Sequence, residues 1–158
     1  MRHLLHLAGR FFRSLMSRRP GVDQQRSVAA HLSPIEAEIF WRQPVPDQDH
    51  AMRGVEHITA SAPARSDLVR AFLLHDVGKR HARLGTLRRS LVTALALVRL
   101  PVGRRGRAYL DHAAAGAAEL EALGCEPLVV AFARHHHAPC PAGVPDADWS
   151  VLAAADRR

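Results

Sequence analysis

The sequence predicts an all-α fold: a compact single-domain bundle of about six to seven helices, with an added amphipathic helix at the N-terminus. Three observations carry that expectation. Alanine, leucine and arginine dominate while β-branched residues are thin outside short patches, which favours helix over strand. Apolar residues make up 47% of the 158 residues, enough for one real core but not comfortably for two. Apolar positions recur at helical spacing between proline and glycine stops, with no credible strand, repeat or low-complexity tract.

In chain order, "MRHLLHLAGRFFRSLMSRRPG" comes first. Leu4, Leu7, Phe11 and Leu15 fall near one helical stripe, flanked by Arg2, Arg10, Arg13, Arg18 and Arg19. A basic amphipathic helix of this kind can lie on an anionic membrane or pack on its own domain. Residues 20–31 are polar and read as a linker, which places a boundary between residues 1–32 and the helical domain 33–158. Ser33, Pro34 and Glu36 form a capping-box start for a helix to about Arg42. Asp47 caps the next, about 48–60, and Ser66 or Asp67 caps a third that runs to Gly78. Further helices are expected at about 86–100, 105–123, 127–137 and 147–155.

Histidine and carboxylate then collect at helix ends. They are His50 and His57, His75-Asp76, His112, the run His135-His136-His137, and Asp156. His75 and Asp76 follow Leu68, Phe72, Leu73 and Leu74, at the edge of a face that reads as buried. A buried carboxylate beside a buried imidazole is costly unless it is paired or bound to a cation. Adjacent helical residues point about 100° apart, so both reach one ion only near the rim of a cleft. His112 lies one turn before Gly116, which allows a second backbone to come close there. Lys79 is the only lysine in the chain, where every other strong cation is arginine. Its compact ammonium differs from the forked guanidinium of arginine, and Arg80, Arg83 and Arg88 follow it closely.

The order of these residues resembles the HD-domain metal-dependent phosphohydrolases. "LLHDVGK" looks like that superfamily's His-Asp signature, "HAAAG" at 112–116 its HxxxG step, "RHHHAP" its His-His step and "LAAAD" at 152–156 its terminal Ala-Asp. The resemblance spans about residues 33–156. It implies a metal held by His50, His75, Asp76 and Asp156, with His112, His136 and His137 available to a second. His57 is the alternative to His50, and alignment through Pro139 makes His135 a flank. A mixed imidazole and carboxylate set suits Mn, Fe, Co, Ni or Zn, as one ion or two. The implied reaction is hydrolysis of a phosphomonoester or phosphodiester, with a nucleotide as the expected substrate. Asp76 would orient water, and Lys79, with Arg80 and Arg83, would meet the phosphate. The family often carries an acid where Ala138 stands, which favours the alternative of a non-catalytic regulatory module.

The formal charge of +7 agrees with a phosphate-bearing partner, although arginine is spread along the whole chain. Nucleic acid is not the expected partner, because no groove-reading motif or aromatic platform accompanies the charge. Cys125 and Cys140 form no CxxC and read as free thiols of a reducing cytoplasm. No apolar run reaches the roughly 18–20 residues that cross a bilayer. The expected location is the cytoplasm, with membrane contact open to the N-terminal helix.

Overall fold

The structure, a computed structural model, describes residues 15–157. Among these residues it is all-helical. The helices are α1 (Val22–His31), α2 (Pro34–Trp41), α3 (Val45–Ser61), α4 (Ser66–Leu74), a 3-10 helix η1 (Val77–Ala82), α5 (Thr86–Leu97), α6 (Arg104–Leu110), α7 (His112–Ala122), α8 (Pro127–His135) and α9 (Asp146–Asp156). The expected N-terminal amphipathic helix lies outside the described residues up to position 14. No described helix is long and apolar enough to cross a membrane.

Helix α4 is the central element. Its sequence, SDLVRAFLL, buries Leu68, Val69 and the run 71–74, so it is apolar nearly all round and needs neighbours on several sides. Helix α8 packs on one side of it and α3 on another, while α9 closes over α3. Phe40, Phe72 and Phe132 are fully buried at the centre with Ile58, Leu120 and Leu152. Helix α7 packs against both α8 and η1, and α6 also packs on η1.

Two polar networks tie α4 to its neighbours. Arg65 makes paired hydrogen bonds with Asp148 at 2.6 and 2.8 Å, which fastens the start of α4 to α9. Glu36, 2% exposed, accepts from Arg70 at 2.8 and 3.0 Å, from the Ser33 N–H at 2.9 Å and from the Ser33 hydroxyl at 2.8 Å. Burial pushes the Glu36 carboxyl up, but Arg70 and Ser33 outweigh it and hold its pKa below the ordinary value. A depressed folded-state pKa means stability that is present above the unfolded value, about 4.3, and is lost as pH falls through the folded value. Glu36→Gln is therefore expected to cost about 2 kcal/mol at neutral pH, with the gap to the parent closing below about pH 4. Urea unfolding across pH 3–8 checks this.

The structure departs from the sequence expectation in several places, among them the cap of α4, which is Arg65 rather than Ser66 or Asp67. Residues 22–31 are not a linker but α1, which rests on α4 and α2 and brings Val28 and Leu32 into the core. Its one buried apolar residue, Val28, gives no periodic signal. The helix expected over 105–123 is broken at Asp111 into α6 and α7, with no glycine or proline near the break. Helix α3 begins at Val45 with Pro44 as its cap, so Asp47 lies inside the first turn rather than capping it. Helix α4 stops at Leu74 instead of Gly78, and the chain tightens through His75 and Asp76 into η1.

Candidate metal centre

The early end of α4 resolves the geometric difficulty posed by adjacent His75 and Asp76. Asp76 leaves the helix with φ −102° and ψ 6°, in the sparsely used bridge region, so both side chains turn toward one interior space. His75 is fully buried and Asp76 is 3% exposed.

Four other elements deliver side chains to that space. Helix α3 contributes His50, α7 His112, the end of α8 His136 and His137, and the end of α9 Asp156. The nitrogen of His50 lies 3.1 Å from Asp156 Oδ1, and His75 Nε2 lies 3.4 Å from the same oxygen. Asp76 faces both ways. Its Oδ2 is 3.3 Å from His75 Nε2, and its Oδ1 is 3.4 Å from His112 Nε2 and 3.5 Å from His136 Nε2. Two groups result, each with donor atoms within 4.8 Å of one another: His50, His75 and Asp76 in one, and His112, His136 and His137 in the other. Asp156 joins the first through His50 and His75, and the Asp76 carboxylate stands between the two.

The protonation pattern follows from hydrogen bonding. His75 Nδ1 lies 2.6 Å from the Phe72 carbonyl, His112 Nδ1 2.7 Å from that of Tyr109, and His136 Nδ1 3.0 Å from that of Ala133. A carbonyl only accepts, so each Nδ1 carries a proton and each ring turns its Nε2 inward. His75 Nε2, His112 Nε2, His136 Nε2 and Asp76 Oδ1 are all buried with no hydrogen-bond partner. They are four of the eight such side-chain atoms among the described residues, so the unpaired polarity of this fold is concentrated here. A buried carboxylate among imidazole Nε2 atoms is unfavourable unless a proton or a metal cation lies between them. The donor set, imidazole nitrogens with carboxylates, fits a divalent transition metal.

Charge agrees with this reading. Burial works against a charged His75, but Asp76 and Asp156 outweigh it and hold its pKa up at about 10. A proton on His75 thus balances the carboxylates where a metal would otherwise do so. Burial instead pushes His136 down to about 3 and lowers His137, which keeps both rings available as neutral ligands. Burial raises the Asp156 carboxyl, but its bonds to His50 and His75 more than reverse that and leave it ionised.

Lys79 lies on η1, 7% exposed, and its ammonium donates to Asp76 Oδ2. Burial lowers its pKa, while Asp76, Asp47 and Tyr109 raise it further, so it remains a cation. It orients Asp76 from behind. Asp47, expected only as a helix cap, accepts from the single Arg89 Nη1 on both carboxylate oxygens, at 2.7 and 2.9 Å, and Arg89 lies over the Tyr109 ring. Nothing in the sequence pairs these three residues, which are far apart in the chain. Gly78 is where η1 packs against the backbone of α7. A Cβ there would lie 2.0 Å from the His112 carbonyl oxygen and 2.8 Å from the Gly116 nitrogen.

The remaining sequence-predicted residues lie apart from this arrangement. His57 is half-buried and belongs to neither donor group, and His135 lines an open cleft with Cys125 and Arg134. Arg80 is engaged by Glu119 and by the Val77 carbonyl, so its guanidinium is committed to the fold. Arg83 is exposed at the end of η1 with φ 50°.

Comparison with known proteins returns no matching family model, no matching curated protein and no matching solved structure.

Proposed function

We propose that this protein is a divalent-metal-dependent phosphohydrolase acting on a phosphomonoester or phosphodiester, with a nucleotide as the favoured substrate class. One observation carries the reading. The Asp76 carboxylate lies between two groups of inward-facing imidazoles whose buried acceptor atoms have no protein partner. That is the donor arrangement expected of paired metals sharing one carboxylate. His50, His75, Asp76 and Asp156 would hold one ion, and His112, His136 and His137, with Asp76, the other.

Bound ions supply Lewis acidity toward a phosphoryl group and acidify a water. The chain's own residues set the geometry. Backbone carbonyls of Phe72, Tyr109 and Ala133 fix the tautomers of His75, His112 and His136. Lys79 holds one Asp76 oxygen and leaves the other directed at His112 and His136. His137 is exposed, and His50 and Asp156 are half-buried, so substrate enters on their side and the attacking water is oriented there by Asp76 and Asp156.

The test is Mn-supplemented hydrolysis of an aryl phosphate and a nucleotide panel, run beside elemental analysis. Metal-dependent turnover supports the reading. Metal at stoichiometry with no turnover of any phosphate ester would favour a non-catalytic binding module instead, which the alanine at position 138 already makes the second reading. His137→Ala separates one-metal from two-metal use. Its ring is exposed, so the fold should persist while bound metal falls by about half and turnover drops roughly 10²-fold.

A further inference from the structure

Among the described elements helix α5 is the one with no buried residue, although it is twelve residues long. At 100° per residue Leu87, Leu91, Ala94 and Val98 fall within about 60° of one another, a single stripe along its outer side. Leu87, Leu91 and Val98 are 69%, 58% and 65% exposed, and Leu97 and Leu100 extend the apolar surface at its end. Its opposite side meets α6, where a Cβ on Gly106 would lie 3.2 Å from the Val92 side chain. The α5–α6 hairpin therefore projects an apolar face that its own fold does not cover.

Its charge says what covers that face. From residue 77 to 110 the chain carries nine Lys and Arg and no Asp or Glu. Arg88 and Arg99 are exposed next to stripe residues in sequence, and Arg104 and Arg105 are exposed at the start of α6. A second copy of this chain would bring like charges together with no carboxylate to offset them. An acid-free segment recurs at the N-terminus. Residues 1–22 hold five arginines and no acid, and Leu15 and Met16 are exposed where the described residues begin. Two separate basic and apolar segments match one extended anionic apolar surface better than a compact peptide, and stable membrane attachment takes two such signals. Duplex DNA offers no apolar surface to the leucines.

We propose that the α5–α6 hairpin docks the protein on an anionic lipid bilayer, with the leucine stripe in the headgroup boundary and the arginines on the lipid phosphates. The hairpin is rooted beside the candidate metal centre, through Arg89 to Asp47 and through α6 to η1. Docking therefore brings that centre to the membrane surface. The inference does not depend on the hydrolase reading.

Flotation of the full chain with vesicles is the test. Phosphatidylcholine vesicles containing about one third phosphatidylglycerol should carry the protein, and pure phosphatidylcholine should not. Leu87→Ser with Leu91→Ser should lower the bound fraction about tenfold at unchanged far-ultraviolet circular dichroism. Arg104→Glu with Arg105→Glu should do the same without touching the apolar stripe. Equal binding of parent and both double variants would overturn the proposal. So would failure of the parent to bind anionic vesicles, or binding to duplex DNA alone.

Discussion

Asp76→Asn is expected to remove both bound metal and turnover, by about 10³-fold or more in hydrolysis, while destabilising the metal-free chain by about 3 kcal/mol. The two losses have different origins. The amide keeps the shape of the carboxylate but not its charge, so the oxygen between the imidazole groups no longer neutralises a cation. The stability loss comes from the residues left behind. Burial raises the Asp76 carboxyl, but His75 and Lys79 outweigh it and hold its pKa well below the ordinary range. Without that carboxylate the buried Lys79 ammonium loses its partner and the His75 proton loses one of two. Thermal unfolding without metal and elemental analysis after loading separate the effects. An Asp76→Asn chain with parental turnover would refute the assigned role.

Gly78→Ala is expected to cost about 4 kcal/mol, a large part of the 5–15 kcal/mol that holds a domain together, with a fall of roughly 8–16 °C in the unfolding midpoint. The added methyl meets backbone, the His112 carbonyl and the Gly116 nitrogen, and neither can swing away as a side chain tip would. If the chain still folds, η1 and α7 must separate, which draws His112 away from Asp76. Metal loading should then fall with stability. Gly85→Ala is the control, because nothing lies within 4 Å of its added Cβ. Gly116→Ala should be milder, with Gly78 nitrogen at 3.0 Å and its Cα at 3.3 Å.

These two variants show what a single chain exposes to inspection. The Ser33–Glu36 box and the Pro127 helix start were legible because local hydrogen bonding and proline geometry write themselves into short motifs, and the structure has both. The expectation that Gly116 admits a second backbone was legible too, but its partner, Gly78, was not. The sequence places glycine in the His-Asp motif without saying what approaches it. The gathering of His50, His75, Asp76, His112, His136 and Asp156 could be anticipated from helix ends and from family resemblance. The carbonyl bonds that fix three of those rings depend on where α4, α6 and α8 stop, which propensity places only approximately. The break at Asp111 leaves no local mark, because tertiary packing on η1 sets it. Arg89, one of many arginines in sequence, is set apart from Arg88 by long-range partners such as Asp47, forty-two residues away.

The central claim is that the buried acceptors around Asp76 are metal ligands. The measurement that meets it most directly is elemental analysis of the full chain, loaded with Mn or Zn and desalted, beside Asp76→Asn and His112→Ala/His136→Ala. About two ions per parent chain, about one in the double-histidine variant and almost none in Asp76→Asn is the result this structure predicts. A parent chain that holds no more metal than Asp76→Asn would contradict it.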